Sequence, residues 1–516
     1  MTRVPLDSLN WALSHVKKHS NWDLLPFPFE YEVVERQWET LRGHLSRQGS
    51  AWALRAYRLC LTPKHRFGFR MSTQLDPLDN ILLASLTHLL GESLERSRVG
   101  PENAFGFRFA PDETGRLFEK DRTWSAFDRL AVERADRSDV THVLVTDIAD
   151  FFPGMYFHRV EEAVSEAEPA WAGQLALRLL KDLNQSISAS LPVGPPFGFL
   201  LAEAALNPLD RLLKDRCYDY IRLCDDFRFF CGSYREAWQA LTCLAEHLYE
   251  QYRLFLQAGK TRIVEKTRFV EENTGDVAKQ EIERLEALLH ELAPELGVVD
   301  DYRGTEPALE ELDEETMVRL RELDWVGLLR GELESGFFSL HKVSYALSRL
   351  RMCGDARAVD LVLENLDVLA VVAREVVKFL GALDLEGGRR EEIARRLLEA
   401  ERQGLLGNTD YERVWLWQGV KGERRGPSQD LVADFRRRNA SSPLLQREFL
   451  LSCDNSLDAH VVKPLKSHFR DLNPWNRRAL LRASRCLDSE ERKAWLRAIR
   501  RNLDPLEDAV MKQAES

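Results

Sequence analysis

Thr146-Asp147-Ile148-Ala149-Asp150-Phe151-Phe152-Pro153 closes an apolar run, His142-Val143-Leu144-Val145, that predicts a strand over residues 142–148. The strand delivers Asp147 at its end, with two bulky aromatics close behind. Further on, Tyr220-Ile221-Arg222-Leu223-Cys224-Asp225-Asp226-Phe227-Arg228-Phe229-Phe230 sets two adjacent acids between two apolar runs, which predicts a hairpin with Asp225 and Asp226 at its tip. A bare carboxylate among apolar residues is costly unless a cation neutralises it. Two hard divalent ions, held about 3.5–4 Å apart by carboxylates, are what in-line phosphoryl displacement needs. Asp147, Asp225 and Asp226 are therefore candidate ligands for two magnesium ions. The competing reading makes them turn residues or salt-bridge partners.

Between the acidic clusters lies Leu191-Pro192-Val193-Gly194-Pro195-Pro196-Phe197-Gly198, a proline- and glycine-rich loop opening into an apolar helix at Phe199. After them comes Leu254-Phe255-Leu256-Gln257-Ala258-Gly259-Lys260-Thr261-Arg262-Ile263. Helical stretches over Ala170 to Asn184 and Phe199 to Arg216, interspersed with the strands, argue for an α+β or α/β region. Pro208 falls inside the second helix; an interior proline costs about 3 kcal/mol, so a kink or a helix end is expected there.

Near residue 270 the sequence changes character. Residues 271–315 are strongly acidic and broken by Gly275, Pro294, Gly297, Gly304 and Pro307, a connector with one short helix over Ala278 to Leu292. Beyond it, Phe337 to Met352, Ala356 to Asn365, Val368 to Leu383 and Arg389 to Gln403 carry apolar residues at three- and four-residue spacing. Asn473-Pro474 offers an N-cap followed by proline in the first turn, and Asp488 with Glu491 resembles a capping box. The chain thus divides into an α+β region over 1–270, an acidic connector over 271–315 and an all-α region over 316–516. Short loops between helices of this length suggest an α-solenoid or an irregular bundle, without a strict sequence repeat.

The 516 residues are enough for about three domain-sized units. With 44% hydrophobic and 30% charged residues, the composition excludes collagen-like, mucin-like and largely disordered chains. No apolar run approaches the roughly 18 residues of a membrane helix, and Met1 to Asn10 lacks a signal pattern. A cytoplasmic protein without a membrane partner is expected. The eight cysteines include no CxxC pair and read as reduced thiols used in packing. A net charge of -11 argues against nucleic acid coating the whole surface, but leaves room for a local basic channel.

Taken in order, a DIxDFF strand, an LPxG loop and helix, a DD hairpin within YxRxxDDF and an LxLxxxKT segment resemble the palm of a reverse transcriptase. The resemblance covers about residues 55 to 270. Upstream, Pro63-Lys64, Gly68 and Arg70 resemble fingers residues that grip an incoming triphosphate, and Phe105-Gly106-Phe107-Arg108 resembles another fingers motif. The opening, Trp11 to His19 followed by Asp23, Pro26, Phe27, Phe29 and Glu30, is similar to the start of bacterial abortive-infection, defence-associated reverse transcriptases. The Leu201-Ala202-Glu203 step and a long helical C-terminal region also fit that group.

The resemblance implies an α+β fingers and palm domain followed by a HEAT-like helical-repeat domain. It implies an antiphage DNA polymerase that is a homo-oligomer and adds deoxynucleotides to single-stranded DNA. Synthesis without a template, and a product attached to a protein hydroxyl, are further family properties. Asp147, Asp225 and Asp226 become the catalytic metal ligands, and Lys64, Arg70, Asp150, Phe152, Gly194 and Lys260 the nucleotide-binding set. Phe152, five residues after Asp147, matches a steric gate against a ribose 2′-hydroxyl; the plainer reading is a core aromatic beside Phe151. Lys260 would neutralise or protonate leaving pyrophosphate, or stand idle at a strand end. Two departures stand out. Leu223-Cys224 precedes the paired aspartates where a tyrosine is common, and Val193 stands where many templated enzymes place glutamine. Losing that amide removes a polar contact near sugar and template.

Two alternatives remain open: an RNA-templated enzyme with a partner RNA, and a helical scaffold carrying a silent polymerase fold. The C-terminal arginines, including Arg436-Arg437-Arg438, Arg477-Arg478 and Arg500-Arg501, interleave with Trp475 and Trp495. They read either as a guide for a single strand or as a solvated face over core tryptophans.

Overall fold

A computed structural model describes residues 3–19, 24–184, 191–274, 321, 324–335, 339–423 and 428–515. Nearly all of the acidic connector, with its expected helix over 278–292, lies outside the described residues. The chain forms two compact units. One takes residues 1–21, 42–55 and 78–307; the other takes 22–41, 56–77 and 308–516. Two segments from the 1–270 region thus cluster with the C-terminal helices. Among the described residues the strands are β1 (Arg58–His65), β2 (Gly68–Gln74), β3 (His142–Asp147), β4 (Tyr220–Leu223), β5 (Asp226–Cys231) and β6 (Arg262–Glu265). No helix of the described residues is long and apolar enough to cross a membrane.

The first unit is built on an antiparallel sheet of order β4-β5-β3-β6. Val143 and Leu144 of β3 and Phe227 and Phe229 of β5 are fully buried. Residues two apart share a sheet face, so Phe227 and Phe229 stack nearly parallel (11°), and Tyr220, opposite Phe229, joins them at 5.5 Å. The helix Tyr234–His247 packs on β3 and β5. The helix Phe197–Asp215 runs past Pro208 instead of ending there. Leu206, Leu209 and Leu213 are all wholly buried around the proline. Burying each contributes about 1.5–3 kcal/mol, which together outweighs the proline cost of about 3 kcal/mol.

In the second unit, Leu340–Cys353, Ala373–Ala382, Asp410–Val420, Pro443–Leu451, Pro474–Ala483 and Pro505–Glu515 each pack on the next. Their starts fall 31 to 37 residues apart. The helix expected over Val368 to Leu383 is interrupted by a 3-10 turn at Ala370–Val372, where adjacent β-branched valines weaken helix propensity. Asn473 caps its helix by accepting from the Asn476 N–H, and Asp488 accepts from Glu490 and Glu491. Glu491 does not complete a capping box; its carboxylate holds Lys466 and Lys463.

Buried charge holds the N-terminal segments in this array. Glu30 accepts from Arg447 at 2.7 Å and from Arg478 at 2.9 Å, and Arg478 also reaches Asp76 at 2.9 Å. Burial would raise the Glu30 pKa, but the two guanidiniums hold it down at about 2. Trp475 is fully buried, donates to the Ala56 carbonyl and has Arg58 over its ring at 4.2 Å. Arg437 and Arg438 pair with Asp434, and Arg477 pairs with Glu507. For Trp475, Arg478 and these three arginines, packing and ion pairing account for the side chain. All eight cysteines are free thiols, six of them buried.

Candidate active site

The pairing register brings the three carboxylates together. Asp147 ends β3 directly opposite Asp226, the first residue of β5. Cys224 and Asp225 form the two-residue turn, so the tip of the hairpin is Cys224-Asp225 rather than Asp225-Asp226. Two-residue hairpins favour left-handed backbone, and Cys224 takes it at φ 56° despite its side chain. The turn is pinned by the Ile148 N–H, which donates to the Asp225 carbonyl at 3.1 Å. Ligand oxygens of Asp147, Asp225 and Asp226 lie within 4.8 Å of one another.

Like charges directly opposite on a sheet repel. Burial first, then the charges of Asp147 and Asp226, push the Asp225 pKa up to about 7. Burial also lifts Asp226 to about 6, against the pull of Arg228 at 3.6 Å. The segment after the hairpin brings one more cation. Leu256 bridges Ile148, the Ala149 N–H donates to the Phe255 carbonyl, and the Gln257 N–H donates to the Asp147 carbonyl. The turn that follows places the Lys260 ammonium against the Asp147 carboxylate. Burial works against that ammonium, but the hydrogen bond and charge of Asp147 outweigh it and hold its pKa above the ordinary lysine value. Three oxygen-donor carboxylates this close, two of them reluctant to ionise without a counter-charge, fit a hard divalent cation.

The remaining expected residues divide. Asp150 takes a left-handed conformation at φ 44° and turns the chain into the short helix Phe151–Gly154, which carries Phe152. The Phe152 ring meets the edge of Phe199 at 5.0 Å, and Phe199 stacks on Phe107 at 4.2 Å. A Cβ at Gly198 would come within 3.3 Å of the Phe152 ring, so glycine permits this approach. Gly194, at φ 133°, shapes the loop whose Leu191 N–H donates to the Phe152 carbonyl. Lys64 and Arg70 stand on the β1–β2 hairpin, in the other compact unit.

Behind the carboxylates lies a group that the motif reading did not assemble. Arg222 is wholly buried and pairs with Asp210 and with Glu203 at 2.7 Å. Glu203 also holds Arg98, which donates to the carbonyls of Gly106 and Phe107. Arg222 donates to the Cys224 carbonyl at 3.1 Å, tying this network to the hairpin turn. Burial opposes the guanidinium charge, but Asp210 and Glu203 hold it far above the point where it would lose its proton. Two acids seven residues apart on a largely apolar helix, Glu203 and Asp210, and a lone arginine in an apolar strand were the sequence signal for such a network.

No protein-family model matches the chain, and no curated protein matches it. Among solved structures, it is similar to telomerase from Candida albicans in complex with a TWJ fragment of telomeric RNA. That likeness has 12% identity and a TM-score of 0.32, over 76% of this chain and 71% of that one. Apo telomerase from Candida tropicalis gives 10% identity and a TM-score of 0.33, over 74% of each chain. Neither likeness is strong enough to bear on fold or function.

Proposed function

We propose that this protein is a reverse-transcriptase-like DNA polymerase that adds deoxynucleotides to a growing strand. The observation that carries the reading is the carboxylate cluster: Asp147 and Asp226 from paired strands and Asp225 from the hairpin turn, with ligand oxygens within 4.8 Å. When bound there, two divalent cations supply the charge that activates a 3′-hydroxyl and stabilises departing pyrophosphate. The chain's own part is to hold that site. Asp147 and Asp226 are fixed by strand pairing and Asp225 by the pinned turn. Lys260, beside Asp147, adds a cation where pyrophosphate charge develops and carries a proton to give it. Phe152, backed by Phe199, narrows the space at the sugar.

The sequence resemblance supports the finer reading. In it the protein is an antiphage enzyme of the abortive-infection group, homo-oligomeric and cytoplasmic, with a HEAT-like C-terminal array. Val193 favours synthesis without a template. Incubating purified protein with labelled deoxynucleoside triphosphates and magnesium tests the activity; absence of incorporation overturns it. Sequencing the product separates untemplated DNA from copies of a partner RNA, and protease treatment of the labelled product reveals any covalent protein primer.

A further inference from the structure

Buried anchors alternate with exposed aromatics just before Lys260. Leu248, Tyr252 and Leu254 are buried, whereas Tyr249 is 48% exposed and Phe255 62% exposed. Leu248–Tyr252 forms a π-helical turn, a local irregularity that is frequent at functional sites. Arg253 then takes a left-handed conformation at φ 56°, its N–H donating to the Tyr249 carbonyl, and the chain doubles back. The reversal brings the Tyr249 and Phe255 rings to 5.6 Å, inclined at 52°, with the Arg253 guanidinium 4.8 Å from the Tyr249 ring.

Register gives this group its meaning. Because Leu256 pairs with Ile148, Phe255 stands opposite Ala149 and Gln257 opposite Asp147. Side chains alternate across a strand, so Phe255 shares the sheet face of Asp147, opposite to buried Ile148. Phe255 therefore lies on the carboxylate face, next to the segment that carries Lys260, with the Tyr249 ring against it and the Arg253 guanidinium against Tyr249. Aromatic faces take up nucleobases by stacking, and arginine adds attraction for a ring or a phosphate.

We propose that Tyr249, Arg253 and Phe255 form a nucleobase-stacking site that holds a base and its phosphate beside the carboxylates. Its place in the enzyme rests on the polymerase reading, but its existence does not. The base comes either from a nucleic-acid strand or from a free nucleotide.

The test measures binding in EDTA, where no catalysis is needed, using full-length protein and three probes. These are a labelled oligothymidylate, the same oligomer without bases, and a labelled mononucleotide. Phe255→Ala and Tyr249→Ala should each weaken a base-bearing probe at least tenfold and leave the base-free oligomer unchanged. Loss confined to the oligothymidylate assigns the base to a strand, and loss confined to the mononucleotide assigns it to a free nucleotide. Phe255→Trp should keep the affinity and show fluorescence quenched by the probe that binds. Unchanged binding of every probe overturns the site, as does equal loss of base-bearing and base-free oligomers. Nucleotide addition is assayed separately, so an inactive enzyme that still loses base binding counts against the polymerase reading alone.

Discussion

The carboxylate cluster and the Arg222 network share one hairpin and treat charge in opposite ways. Behind the sheet, two guanidiniums, Arg98 and Arg222, face two carboxylates, Glu203 and Asp210, at hydrogen-bonding distance. At the strand ends, three carboxylates crowd together, and burial with mutual repulsion lifts Asp225 to about 7 and Asp226 to about 6. Balanced buried charge braces a fold, whereas unbalanced buried charge invites a ligand. The Glu30, Asp76, Arg447 and Arg478 group of the second unit is of the balanced kind. Charge balance thus separates brace from site where burial alone does not.

The largest expected effect breaks the comparison at the unbalanced end. Asp147→Asn or Asp225→Asn should cut nucleotide addition by at least about a thousandfold, roughly 4 kcal/mol of transition-state stabilisation. The metal-free fold of Asp225→Asn should hold or gain stability, since a repelling charge is removed, whereas Asp147→Asn also gives up the Lys260 pair. Steady-state rates at matched protein level, with urea midpoints alongside, check both halves; near-normal incorporation would defeat the site.

Arg222→Met should behave in the reverse sense. It leaves Glu203 and Asp210 buried without their shared partner, a loss of about 3–5 kcal/mol of stability. Urea unfolding of the full chain measures it. A loss below about 1 kcal/mol, the range of exposed ion pairs, would mean that the network is not a brace.

A smaller effect concerns the sugar. Phe152→Ala should lower the preference for dATP over ATP by about ten- to a hundredfold, on the scale of about 1.4 kcal/mol per tenfold. The ratio of incorporation efficiencies decides it. An unchanged ratio with reduced activity would make Phe152 packing for Phe199 and nothing more.

The smallest effect is a shift of a few degrees in melting temperature. Asp225 and Asp226 hold protons to about pH 7 and about pH 6 in the folded, metal-free protein, but release them nearer 3.8 when unfolded. The folded state therefore binds more protons between about pH 4 and about pH 7, and stability falls as pH rises through that window. In EDTA the melting temperature should drop over it, and the increment from magnesium should grow, because the metal needs ionised carboxylates. Asp225→Asn should flatten both trends. A magnesium increment constant with pH would rule out these carboxylates as its ligands.

Read alone, the chain yields its local elements and its most expensive residues. Apolar alternation marks β3 and the β4–β5 hairpin, and three-four spacing marks the helices, because both patterns record which side of an element is buried. Asp147, Asp225 and Asp226 are legible because ionisable groups among apolar neighbours need a reason to be there. Tertiary structure decided what distance in the chain conceals. Lys260 meets Asp147 across 113 residues, and Arg98 meets Glu203 across 105. The stacking of Phe107, Phe199 and Phe152, and the passage of 22–41 and 56–77 into the helical array, depend likewise on distant elements. Hydrophobic periodicity says that a face is buried without saying against what. Only strand register and helix packing, set by contacts summed over the whole unit, choose the partner.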